Sequence, residues 1–80
     1  MPIMLRLKNI KVENGVVEAD FYPENSVLSG HIAVDVQTEE VISCKRVEGF
    51  GESYEGHAKN HLIRMAKQNK VEKERLVMWH

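Results

Sequence analysis

The sequence has little of what stabilises small secreted proteins or anchors a chain in a membrane. Its 80 residues include a single cysteine, Cys44, and one cysteine cannot form a disulfide within the chain, which disfavours a disulfide-stabilised secreted protein. No uninterrupted apolar run approaches the ~18 residues that a transmembrane helix needs. We therefore expect residues 1–80 to form one cytoplasmic domain that does not associate with a membrane.

The sequence also lacks an excess of one charge, and it has few aromatic residues outside the expected core. The formal net charge is −1, from 11 basic and 12 acidic residues, and aromatic residues make up 6% of the chain. Nucleic-acid binding usually relies on positive charge, because phosphate contacts supply most of the non-specific affinity, and base stacking requires aromatic side chains. Nucleic-acid binding is therefore disfavoured. With 42% hydrophobic and 29% charged residues, the chain has the composition of a folded globular domain.

The dipeptide Asn14-Gly15 is the strongest local signal, because both residues tolerate the positive φ that a type I′ hairpin turn requires. It predicts a hairpin between a strand over Ile3–Val12 and a strand that ends at Pro23. The apolar residues of the first strand change phase near Lys8–Asn9, which predicts a β-bulge there. The expected register of the hairpin pairs Val12 with Val17, Ile10 with Ala19 and Lys8 with Phe21.

Alternation of apolar and polar residues resumes at His31 and predicts a second hairpin. Its turn is expected at Thr38-Glu39-Glu40, and the returning strand covers Val41–Val47. A three-residue loop at this turn would place Val36 opposite Ile42 and Val34 opposite Cys44, so that apolar side chains meet across the strands.

Residues Ser53–Lys70 predict the helix around which the chain is organised, with Ser53 as the N-cap. At about 100° per residue the apolar side chains fall on one side, namely Tyr54, Ala58, Leu62, Met65 and Ala66. Gly56 weakens this helix by about 1 kcal/mol relative to alanine, which suggests that its bare backbone packs closely on the sheet. Leu76–Trp79 fits a short last strand. The predicted fold is α+β, an antiparallel sheet of four to five strands in the order β-β-β-β-α-β with one helix packed on one face.

His57 and His61 are the candidate metal ligands, because a spacing of four places both imidazoles on the same side of a helix. Zinc would be the metal, with His31, His80, Cys44 or a carboxylate as a further ligand, although no local spacing favours any of these. The glutamate that zinc peptidases carry next to the first histidine is absent. The alternative interpretation places His61 at the border of the apolar side and His57 nearer to solvent.

Nothing in the sequence indicates an enzyme, since acid, base and nucleophile are not clustered. Cys44 is expected to act as a small buried hydrophobe, because a nucleophile would need a neighbouring base and a partly exposed thiolate. The glycines of Gly49-Phe50-Gly51 lack the lysine and the hydroxyl residue of a phosphate-binding loop, and a flexible connection is the simpler interpretation.

We expect a non-catalytic binding or assembly module that acts through contacts with a protein partner or by self-association. The candidate interface residues are Tyr54, Ile63 and Trp79, together with a sheet edge. Ile63 is predicted to point away from the apolar side of the helix, and a large aromatic residue such as Trp79 on an edge strand is typical of an interface. Alternatives are the metal-binding protein and a weak nucleic-acid binder acting through the basic residues Lys59, Arg64, Lys67, Lys70, Lys73 and Arg75.

Overall fold

The computed structural model describes residues 3–79, which form five strands and one helix in the order β-β-β-β-α-β. All strand pairs are antiparallel, and the strands lie in the sheet in the order β4-β3-β2-β1-β5. The predicted α+β fold is confirmed, and the last strand lies at an edge beside β1. The elements are β1 (Ile3–Glu13), β2 (Val16–Pro23), β3 (Gly30–Asp35), β4 (Val41–Lys45), α1 (Glu52–Lys67) and β5 (Arg75–Trp79).

The core lies between α1 and one face of the sheet. Alternate residues of β1, β2 and β3 point to this face, because successive side chains of a strand face opposite sides, and α1 crosses mainly above these strands. The opposite face of the sheet carries the polar residues of the same strands. The largest fully buried side chains are those of Phe21, Leu5, Leu7, Ile32, Leu62 and Met65.

The first hairpin turns where the sequence predicts. Asn14 and Gly15 both have positive φ, 52° and 76°, and Val12 pairs with Val17 as expected. Val12 is nevertheless 43% exposed, although Val17 opposite it is fully buried.

The predicted bulge is present in β1, at Asn9–Ile10, one position later than the expected Lys8–Asn9. Lys8 pairs with Asp20 and Lys11 pairs with Glu18, so two residues of β1, Asn9 and Ile10, lie opposite the single residue Ala19. Asn9 adopts a φ of 55° there. Ile10 therefore lies opposite Ala19 as expected, but shares that position with Asn9. The expected pair of Lys8 with Phe21 is wrong, since the extra residue shifts everything before it and brings Leu7 opposite Phe21.

The second hairpin forms in a different register from the one predicted. β3 ends at Asp35 and the loop covers residues 36–40, because the Asp35 carboxylate accepts hydrogen bonds from the backbone N–H groups of Gln37 and Thr38. The strands then pair Val34 with Val41 and Ile32 with Cys44. The expected pairs of Val36 with Ile42 and of Val34 with Cys44 are therefore wrong.

The helix is shorter than expected at its C-terminal end and begins one residue earlier. Its N-cap is Gly51, and no side chain caps it, so the prediction of Ser53 as N-cap is wrong. A β-carbon at Gly56 would meet no atom within 4 Å, and the expected close packing of Gly56 on the sheet is also wrong. Within residues 3–79 no helix has the length and apolar character needed to cross a membrane.

Candidate protein-binding surface

β5 forms one edge of the sheet and exposes two large apolar side chains. It pairs with β1 through a regular ladder of five residue pairs, and among residues 3–79 no strand pairs with its other side. Val77 points into the core, whereas Leu76 and Met78 point to the face opposite α1 and are each 55% exposed. We call the free side of β5, together with Leu76 and Met78, the β5 edge.

The opposite edge of the sheet, β4, is irregular. Ser43 pairs with Ala33 and Val41 pairs with Val34, which leaves Ile42 as an extra residue in β4. A bulge of this kind bends and twists an edge strand and interrupts the regular row of backbone groups that another strand could pair with. β4 also ends in Lys45, and lysine is a residue that natural edge strands use against unwanted pairing.

The face of the sheet beside β5 carries apolar side chains and the Arg6 guanidinium, which already contacts other groups of the same chain. Met4 lies opposite Met78, and Arg6 lies opposite Leu76. The Arg6 guanidinium lies 5.2 Å from the centre of the Tyr22 ring and donates a hydrogen bond of 2.7 Å to the backbone oxygen of Ser26. At the start of β5 a shallow groove is lined by Arg6, Leu7, Lys8, Glu74, Arg75 and Leu76.

Four aromatic rings fix the end of β5 to the N-terminal half of α1. The His57 imidazole stacks on the Trp79 indole, with 3.8 Å between ring centres and 18° between ring planes. Tyr54 meets the same indole edge to face at 5.5 Å, and Phe50 meets Tyr54 at 5.3 Å. We call these four residues the aromatic cluster. Aromatic pairs of this geometry contribute about 0.5–1.5 kcal/mol each beyond the area they bury.

The Glu24 carboxylate joins the aromatic cluster to the start of β1. Its Oε2 atom accepts hydrogen bonds of 2.9 Å from the Tyr54 hydroxyl and 2.9 Å from the backbone N–H of Met4. Partial burial and the hydrogen bond to Glu24 raise the pKa of Tyr54 above its usual value, so the phenol keeps its proton as a donor. The helix, β1 and β5 are therefore held together at one end of the sheet.

The structure brings two of the three predicted interface residues together. Tyr54 and Trp79 belong to the aromatic cluster and are half-buried. Ile63 is 7% exposed and is part of the core, so the prediction that it points away from the apolar side of α1 is wrong. A helix lying flat on a twisted sheet buries a wide apolar stripe, and here the stripe extends to Ile63.

The predicted metal ligands His57 and His61 lie in two different environments on α1. His57 is stacked on Trp79. His61 has its Nδ1 atom buried without a hydrogen-bond partner, and burial, followed by the charges of Arg75 and Arg64, lowers the pKa of its imidazole. Neighbouring cations also oppose a bound metal cation. The zinc site stays a prediction.

Of the further ligands considered for that metal, His31 lies away from α1, whereas Cys44 forms a hydrogen bond with Glu55 of that helix. His31 lies on the opposite face of the sheet, with its Nδ1 atom 2.9 Å from an Asp20 oxygen and its Nε2 atom 3.7 Å from a Glu18 oxygen. Burial and a hydrogen bond to Glu55 raise the pKa of the Cys44 thiol to about 11. His80 lies outside the described residues. Residues 3–79 contain no group of three or more His, Cys, Asp or Glu side chains arranged to hold a metal ion.

The basic residues of the outer helix face are partly neutralised by acidic neighbours. Lys67 forms an ion pair of 2.6 Å with Glu39, and Arg75 lies 3.8 Å from Glu72. Such pairs reduce the positive field that a phosphate backbone would require. Weak nucleic-acid binding through this face stays a prediction.

Comparison with protein-family models, with curated proteins and with solved structures gives no match for this chain. The candidate surface therefore rests on geometry. Sequence reasoning missed Leu76 as part of it. The period-two alternation in Arg75–Trp79 carries the signal, since it places Leu76 and Met78 on the side opposite Val77.

Proposed function

We propose that the protein is a non-catalytic binding module that adds an extended strand of a protein partner to its sheet at the β5 edge. The observation that carries this proposal is the contrast between the two edges. β5 is regular and exposes Leu76 and Met78, whereas β4 is interrupted by the bulge at Ile42.

Backbone chemistry supports strand addition at this edge. An unpaired edge offers a row of N–H and C=O groups that a second strand can match, and alternate side chains then provide specificity. Natural edge strands that must stay free are protected by lysine, proline, bulges or inward-pointing charge. Arg75, the first residue of β5, is its one charged residue, and the three residues that follow, Leu76, Val77 and Met78, include none of these devices.

The aromatic cluster supports the proposal because it holds β5 rigid before a partner arrives. Trp79 is stacked on His57 and contacts Tyr54, and Glu24 links Tyr54 to β1. A preformed strand loses less conformational freedom on binding, and this improves affinity.

The test is selection of peptides from a random display library on immobilised protein, at a low protein concentration. We expect enriched peptides to be extended and apolar, and to lose binding to the variants Met78→Lys and Leu76→Lys. The matched control is Ile42→Lys, since Ile42 is 57% exposed on the other edge. Peptides that bind the wild-type protein and all three variants equally, or that lose binding only to Ile42→Lys, would contradict the proposal.

A further inference from the structure

The β5 edge is complementary to itself, and we propose that its partner is a second copy of this chain. The two copies pair β5 with β5 in antiparallel orientation about a two-fold axis that lies midway between Val77 of one copy and Val77 of the other. This inference rests on the proposed function, because it names the partner of the same edge.

Symmetry and strand length together fix the register. Opposite residues in an antiparallel pair point to the same face of the sheet, whereas neighbouring residues of a strand point to opposite faces. The two-fold axis must therefore set one residue of β5 opposite the same residue of the second copy. β5 contains five residues, Arg75–Trp79. Only an axis at Val77 sets all of them opposite β5 of the second copy, whereas an axis at Leu76 or Met78 limits the overlap to 75–77 or 77–79.

This register places complementary side chains opposite each other twice. On the exposed face, Leu76 of each copy meets Met78 of the other, and both are apolar and half exposed in the single chain. On the helix face, Arg75 of each copy meets Trp79 of the other, a pairing of a guanidinium with an indole that is favourable as a cation–π contact. An interface in which residue i meets j and j meets i is the form that a two-fold dimer requires.

Charge does not oppose the association. Arg75 is the one charged residue of β5, so no like charges face each other across the new strand pair. The chain as a whole has a net charge of −1, and a near-neutral protein has little repulsion between copies. A strand pair of this length falls in the size class below about 1,200 Å² that is typical of weak complexes, so we expect a dimer that dissociates on dilution.

Sedimentation velocity over a dilution series tests the dimer. We expect Met78→Lys and Leu76→Lys each to raise the dissociation constant of the dimer about tenfold. Each substitution removes an apolar cross-strand pair, and the two-fold symmetry of the dimer makes this loss occur at two places. Ile42→Lys should leave the dissociation constant unchanged. The fluorescence of Trp79 and far-ultraviolet circular dichroism establish that each variant is folded. A wild-type chain that is monomeric up to its solubility limit, or a dimer that survives both β5 substitutions, would overturn the inference.

Cross-linking tests the register. In a Cys44→Ser background, proteins carrying Leu76→Cys and Met78→Cys are mixed in equal amounts and oxidised. An axis at Val77 predicts disulfides between the two different variants, since positions 76 and 78 are then directly opposite. Cross-links formed mainly between two copies of the same variant would place the axis at Leu76 or Met78 and would reject the proposed register.

The two proposals fail separately. Peptides that bind the β5 edge of a strictly monomeric protein would reject the second copy as partner and leave the strand-addition function standing. Absence of any selected peptide that depends on Leu76 or Met78, together with a monomeric chain, would reject both.

Discussion

Gly30→Ala tests the packing of the core at the point where it tolerates least change. Gly30 lies directly opposite Phe21 in the sheet. A β-carbon at Gly30 would lie 2.7 Å from Cε1 of Phe21 and well inside contact distance of the Lys45 carbonyl oxygen. Carbon atoms in proteins approach to about 3.5–4.0 Å, so the ring and the end of β4 would both have to move by about 1 Å.

The expected cost is at the upper end of the range for inserting a methyl group into a packed core, about 3 kcal/mol. For a domain of this size, 1 kcal/mol shifts Tm by about 4–8 °C, so Tm should fall by about 12–24 °C. Urea unfolding followed through Trp79, the single tryptophan, measures the change. The double variant with Phe21→Leu should cost less than the sum of the single variants, because removing the ring relieves one of the two contacts.

Gly56→Ala adds the same methyl group and serves as the control. It lies in α1 where a β-carbon meets no atom within 4 Å, so alanine should stabilise the protein by about 1 kcal/mol through its higher helix propensity. A Gly30→Ala protein as stable as wild type, or a Gly56→Ala protein less stable than wild type, would refute the packing described here.

Three further predictions concern single side chains. Because the pKa of Cys44 is about 11, its reaction with a disulfide reagent at pH 8 should be on the order of 100-fold slower than that of a free thiol, and Glu55→Gln should speed it several-fold in a stopped-flow assay. The folded state lowers the pKa of His61, so below about pH 6.5 the imidazole takes up a proton more readily in the unfolded chain than in the folded one. The free energy of unfolding, measured by urea titration, should therefore fall from about pH 7 to about pH 5. In His61→Leu the contribution of this imidazole to the fall should be absent. Tyr54→Phe should cost about 1–2 kcal/mol, because it removes the hydrogen bond to the Glu24 carboxylate, and an unchanged urea midpoint would contradict this role.

Element order and the position of the first turn could be predicted from the sequence because they depend on local chemistry. Asn14-Gly15 specifies its turn through the φ values that these residues tolerate, and alternation specifies the strands. The pairing register of the strands could not be predicted, since it depends on how many residues each bulge or loop inserts. The bulge near Lys8 was expected, yet pairing Lys8 with Phe21 ignored the residue that the bulge inserts.

The candidate surface was only partly predictable for a similar reason. The contact between His57 and Trp79 joins residues whose proximity depends on β5 pairing with β1 and on the position of α1 above the sheet. Neither can be obtained from the spacing of residues along the chain. Ile63 belongs to the core because the buried stripe of α1 is wider than the one that the helical period outlines, and the width of that stripe depends on the shape of the sheet beneath the helix.

The two edges show that the exposure of apolar side chains does not by itself distinguish one edge strand from the other. Ile42 of β4 is 57% exposed, and Leu76 and Met78 of β5 are each 55% exposed. Exposed apolar residues therefore favour neither strand. The extra residue in β4 breaks its ladder next to Val34, whereas β5 pairs without interruption. Strand addition requires a continuous row of backbone groups, so the extra residue in β4 is the reason that the proposal places the partner strand at β5.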